Sequence, residues 1–248
     1  MKADRFWLRL CLLAASGTVV GAVVVRMFRI DAGRIGSYFG ILIIGTAFLA
    51  VVAGIAAGIG WQKALGATAA VIAVGGGAEI LGLYQGIPFG RYEYTDWWLP
   101  YLTLPGGKLF PLLLPLTWFL IIVLWYLLLA RRLLGWTLIL GTALFAALTD
   151  VVLEPVITRV VLFWRWLEPT PLLGAPYLNF PGWLITAALG AGCLHASGVW
   201  RARELPHPVL LLPAGLVFTA VIGVAHGEPR GALALALIPV VLWCSART

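Results

Sequence analysis

WTLILGTALFAALTDVVLEPVITRVV, Trp136–Val161, is the stretch on which the reading of the fold turns. It is almost wholly apolar and long enough to cross a bilayer, for which about 20 such residues suffice. Yet it carries two acids, Asp150 and Glu154, with Pro155 directly after the second. A carboxylate inside a membrane helix costs roughly 2.5–3.5 kcal/mol on insertion scales, so each is a functional-site hypothesis by default. The i, i+4 spacing places both on one helix face. Two carboxyls this close in low dielectric do not both ionise cheaply, so the pair is expected to hold a proton near neutral pH. Such a neutral acid in an apolar pocket is what donates a proton to a weak base such as an alkene. Pro155 also frees the carbonyl of Val151 as a polar acceptor at membrane depth. The bland alternative is a structural network in which Arg159 or Arg91 neutralises the pair.

Outward from that stretch the apolar pattern repeats. Phe6–Val25, Tyr38–Ile59, Ala64–Tyr84, Pro111–Ala130, Phe180–Trp200 and Pro208–Ala225 read as further spans. Gly231–Trp243 is shorter and contains Pro239, so it crosses with tilt, crosses a locally thinned bilayer, or lies re-entrant. The expected fold is all-α: a polytopic transmembrane helix bundle of seven or eight spanning helices, in one integral membrane domain over residues 1–248. Composition agrees, with 62% hydrophobic and 11% charged residues and a mean hydropathy of +1.00, where a soluble domain carries about 25% charged residues. The net charge of +7 sits in short loops beside lipid headgroups. No basic stripe with interleaved aromatics accompanies it, which argues against nucleic acid as a partner. Met1–Val25 begins basic and turns apolar, without a small-x-small cleavage site and with Arg26 and Arg29 following, so it reads as the first membrane helix. The expected location is the cell membrane, as a multi-pass protein.

Counting eight spans divides the basic residues almost evenly between the two sides, so they do not set orientation. The acids do not divide evenly. Asp31, Glu93, Asp96, Glu168 and Glu228 fall in loops on one side, and Glu79, Asp150 and Glu154 sit toward that end of their helices. Asp4 and Glu204 fall opposite. Two long aromatic connections, Gln85–Phe110 and Trp164–Pro181, lie at the acid-rich side and are expected to fold back over the bundle.

Glu79 follows Gly75-Gly76-Gly77, which let helices approach closely; it either meets a neighbour or reaches toward water. Arg91, Tyr92, Glu93 and Tyr94 belong to a segment, Gly90–Trp98, that is either an interfacial aromatic belt or a site rim whose ring faces stabilise a cation. Asn179 either caps the helix it enters or holds a carboxyl or water in place. His195, inside an apolar run, reads as a satisfied core histidine. Cys11, Cys193 and Cys244 lie far apart, and no CxxC, P-loop, GxSxG, HExxH or dinucleotide fingerprint occurs. Neither a metal nor a cofactor is expected.

Five segments together carry a resemblance: Gly90-Arg91-Tyr92-Glu93-Tyr94; Leu114-Pro115-Leu116-Thr117-Trp118; Thr149-Asp150 through Leu153-Glu154-Pro155; Trp164-Arg165-Trp166; and Gly174 through Trp183. In this order they resemble membrane-integral carotenoid biosynthesis proteins of the carotenoid 1,2-hydratase and bisanhydrobacterioruberin hydratase type. The likeness covers a core of about residues 86–186. It departs at Thr149, where that family usually has tryptophan, and at Glu154, where it usually has aspartate.

The resemblance implies addition of water to the terminal C1=C2 double bond of an acyclic (ψ) carotenoid end, by acid protonation and water capture of a tertiary cation, without cofactor. It implies Asp150 and Glu154 as catalytic residues, to which Glu79 is added from its own place in the sequence, and Arg91, Tyr92, Glu93, Tyr94, Trp118, Asn179 and Trp183 as substrate-binding ones. The implied partners are a long-chain carotenoid taken from the bilayer, water, membrane lipid and other enzymes of the pathway. Rival readings are another enzyme of that pathway such as a lycopene cyclase, a small proton-coupled transporter, and a non-catalytic scaffold of a pigment-making complex.

Overall fold

The computed structural model describes residues 2–28, 32–170 and 174–246. Asp31 and Arg29 lie outside the described residues. Among the described residues eight α-helices follow in order: α1 (Lys2–Met27), α2 (Ala32–Ile59), α3 (Trp61–Gln85), α4 (Leu114–Leu129), α5 (Gly135–Val156), α6 (Asn179–Ala196), α7 (His207–Ala225) and α8 (Ile238–Ser245). Each coincides with an apolar segment of the sequence. By length and composition, Ser37–Ile59, Trp61–Gln85, Gly135–Val161 and His207–Ala225 are long and apolar enough to cross a membrane. Leu12–Met27, Leu114–Leu129 and Pro229–Ser245 are shorter apolar helices. The chain is an all-α membrane bundle.

Chain chemistry sets the ends of the elements. Gly86, in the left-handed region at φ 72°, closes α3 by donating its N–H to the carbonyl of Gly82. Pro115 opens α4 at its first turn, where no backbone donor is needed. Pro155 lies inside α5, and the helix loosens directly after it into a π-turn over Ile157–Val161 that ends at Leu162, φ 60°. The segment around Pro239 is not one regular helix. It starts as a 3-10 turn over Pro229–Leu237 and becomes α8 at Ile238.

The two long connections contain strand, which the apolar pattern did not indicate. β1 (Tyr92–Tyr94) pairs antiparallel with β4 (Trp164–Trp166), so the two loops are joined to each other. β2 (Tyr101–Leu104) and β3 (Lys108–Pro111) form a hairpin. The register Tyr92↔Trp166 and Tyr94↔Trp164 puts four aromatic rings on one face. Tyr92 and Trp166 meet edge to face at 5.3 Å between centroids, and Tyr94 and Trp164 at 6.3 Å. α4 is the bundle's centre. Trp118, Phe119, Ile122, Val123, Trp125 and Tyr126 are all buried there, surrounded by α2, α3, α5, α6 and α7.

Candidate active site

A cavity of about 290 Å³ lies at one end of the bundle. Its lining comes from the C-terminal halves of α1, α3, α5 and α7 and from the N-terminal halves of α2, α4 and α6. In an up-and-down bundle those halves share one end. The joined loops form its roof, contributing Tyr92, Tyr94, Trp98, Trp164 and Trp166.

Three carboxyls line this cavity. Asp150 is 2% exposed, Glu154 3% and Glu79 6%. The i, i+4 spacing puts Asp150 and Glu154 on one face of α5, and α3 brings Glu79 to the same chamber. Each acid has its own set of donors. Asn179 donates from Nδ2 to Oδ2 of Asp150 at 2.6 Å. Trp164 (3.2 Å) and Trp166 donate their indole N–H groups to Oε1 of Glu154, while Oε2, buried, has no partner. Glu79 accepts three bonds: from the Tyr92 and Tyr94 hydroxyls at Oε2, the latter at 2.7 Å, and from Trp118 Nε1 at Oε1, at 2.8 Å. Burial first, and the neighbouring Glu79 second, push both phenols well above their ordinary value. Tyr92 and Tyr94 are therefore held as donors.

Among the described residues no ion pair reaches these three acids. Arg159 pairs with Glu228 at 3.4 Å and Arg91 with Glu168 at 3.8 Å, so the neutralising arginine considered from sequence goes elsewhere. The walls are apolar and aromatic. Trp118 and Trp183 stack with centroids 3.8 Å apart, and Phe89 packs on Trp118 at 5.8 Å. That contact depends on Gly75: a Cβ there would lie 2.7 Å from Cβ of Trp118.

Of the residues expected at the site, Asp150, Glu154, Glu79, Tyr92, Tyr94, Trp118, Asn179 and Trp183 line the cavity. Arg91 and Glu93 do not. A strand alternates its faces, so with Tyr92 and Tyr94 turned inward, Arg91 and Glu93 turn out, toward Glu168 and Arg165. Asn179 is the first helical residue of α6, and Leu178 holds the cap position, so its amide serves Asp150 instead of the helix end. Glu79 is a buried acid with a full set of donors and does not reach toward water. Trp164 and Trp166, not among the residues expected at the site, also line the cavity; their i, i+2 spacing, the same as that of Tyr92 and Tyr94, is the sequence signal for it.

Thr149, at the position where tryptophan is usual, accepts a bond from Trp125 Nε1 at 2.8 Å and donates to the carbonyl of Phe145 at 2.7 Å. His195 is partnered as expected, 3.0 Å from the Tyr126 hydroxyl. Cys193 and Cys244 are free, and the side chain of Cys11 lies outside those described. Among the described residues no group of three His, Cys, Asp or Glu side chains is placed to hold a metal ion.

The arrangement suits acid–base chemistry on an apolar molecule. Neutral or singly charged carboxyls face one another across a chamber whose rings stabilise positive charge. Comparison with known proteins points the same way. The family model described as carotenoid biosynthesis protein matches residues 37–242, more than half of the chain. No curated protein and no solved structure matches it.

Proposed function

The chain belongs to the carotenoid biosynthesis protein family, and from that premise we propose that it is a carotenoid hydratase of the cell membrane. It adds water to the terminal C1=C2 double bond of an acyclic carotenoid end and forms a tertiary alcohol. The observation that carries this reading is the meeting of Asp150, Glu154 and Glu79 with the Trp118–Trp183 stack in one apolar chamber.

The steps balance without an oxidant or reductant. Asp150 gives its proton to C2, breaking its O–H bond as the C2–H bond forms and leaving a tertiary cation at C1. Ring faces of Trp118 and Trp183 stabilise that cation. Glu79, its carboxyl held by three donors, fixes Tyr92, Tyr94 and Trp118 around the same chamber. Water then bonds through its oxygen to C1 and loses a proton to Oε2 of Glu154, the carboxyl atom left without a partner. Return of that proton to Asp150 resets the pair. Asn179 positions Asp150 throughout. Arg91 and Glu93 act at one remove, tying the roof strands to their neighbours.

Co-expression with lycopene in a pigment-producing host, followed by mass analysis of the pigments, tests the reading. A product heavier by one water is expected. A cyclised product of unchanged mass would assign the same acids to a cyclase, and unchanged lycopene would remove the hydratase reading.

A further inference from the structure

The cavity has a second end that the chemistry above does not use. From the carboxyls it runs to α1, where Thr18, Gly21 and Val25 line it opposite Phe39 and Gly40 of α2. α1 is an edge helix that packs chiefly on α2 and α7. Gly21 is buried, yet a Cβ built on it would meet no atom within 4 Å. Protein interiors pack like organic crystals, so a buried glycine beside empty space marks room that something is meant to fill. Gly40 on the facing wall is also slack, its nearest neighbours lying 3.9 Å from a built Cβ.

Exposure distinguishes the two ends. Asp150 and Glu79 are sealed, whereas Phe39 lines the cavity and is 42% exposed. The cavity thus meets the surface beside Phe39, on a helix long and apolar enough to cross a membrane. Its size matters as much as its opening. About 290 Å³ is at the lower limit of pockets that enclose a drug-sized ligand, so the chamber holds the end of a long chain and not its length.

We infer that the gap between α1 and α2 at Gly21 and Gly40 is a lateral mouth for a long apolar polyene. The reacting end lies at the carboxyls, and the remainder passes Gly21 into the bilayer. The mouth rests on the shape and exposure of the cavity; its occupant being a carotenoid rests on the hydratase reading. A side chain at position 21 enters the path of the polyene without displacing a packed neighbour. Gly17, which also has open space around a built Cβ, does not line the cavity and serves as the matched control on the same helix.

The test uses full-length protein extracted in mild detergent from lycopene-producing cells, with lycopene retained per protein read by absorbance and pigment mass read from the same cells. Gly21→Leu is expected to lower retention by about tenfold or more. Gly21→Ala, which adds one methyl and keeps the test sound if leucine impairs folding, is expected to fall between, and Gly17→Leu to match the unaltered protein. Equal retention by Gly21→Leu and the unaltered protein would overturn the mouth, as would an unaltered protein that retains neither lycopene nor its hydrated product. Retention that follows position 21 while no pigment gains water would sink the hydratase reading and leave the mouth standing.

Discussion

The indole N–H of Trp166 donates to Oε1 of Glu154, on a carboxyl whose other oxygen has no partner. The donor belongs to the roof and the acceptor to the bundle, so closing the roof is what orients this acid. Trp166→Phe keeps the ring and removes the donor. It is expected to lower hydration by roughly tenfold, since one hydrogen bond to a charged group contributes about 1.5–3 kcal/mol. Product formation per protein, compared with the unaltered chain, checks this.

Asp150→Asn retains shape and the neighbourhood of Asn179 but has no acidic proton. General acids contribute roughly 10²–10⁴-fold in rate, so hydration should drop by that order while the protein still accumulates in the membrane. Full activity in this variant would remove Asp150 as the proton donor.

Glu79 presents a different case, because three buried donors converge on it. Glu79→Ala leaves Tyr94 and Trp118 without an acceptor, at about 1–3 kcal/mol for each unsatisfied group, and leaves Tyr92 only the backbone carbonyl of residue 79, at 3.2 Å. The expected result is a marked loss of thermal stability in detergent, larger than that of Glu79→Gln. If alanine and glutamine at this position melt alike, the donors do not depend on Glu79.

Two glycines of the same tripeptide make a matched pair. Gly75 touches Trp118, whereas a Cβ on Gly77 would meet nothing within 4 Å. Gly75→Ala should displace Trp118 from Trp183 and reduce activity, and Gly77→Ala should leave it near the unaltered level. Equal activity of the two variants would show that the stack tolerates the shift.

Outside the spans, Glu228 is held below its ordinary value near 4.5, first by its hydrogen bond from Arg230 and with a smaller contribution from Arg159. A depressed carboxyl stabilises fully above its unfolded value and loses that contribution as pH falls through the folded one. Thermal stability should therefore decline on acidification below about pH 4.5, and less steeply in Glu228→Gln. Coinciding profiles of the two proteins would rule the pair out as a contributor.

The helices were legible because an apolar chain in the bilayer, short of closing a barrel, satisfies its backbone as helix, and each apolar segment except Gly231–Trp243 became a single one. Asp150 and Glu154 were legible for the same reason, since an acid in such a segment stands out and their spacing names a face. The partner of Asp150 was not, because Asn179 is brought to it by helix packing and not by proximity in the chain. The roof was harder still. β1 is three residues long and pairs with a strand more than seventy positions later, too little for periodicity to register. Once that pairing is known, the alternation of Tyr92 and Tyr94 with Arg91 and Glu93 sorts inward from outward residues. Reading the segment as a block had placed all four at the site.

The donors that satisfy the three acids all lie downstream of them: Tyr92, Tyr94 and Trp118 after Glu79, Asn179 after Asp150, and Trp164 and Trp166 after Glu154. A chain leaves the ribosome N-terminus first. Every one of these carboxyls is therefore delivered to the insertion machinery before its partners have been synthesised, and the last of those partners is not made until position 179. Biogenesis of this protein therefore carries three acids through that interval before the side chains that will hold them exist.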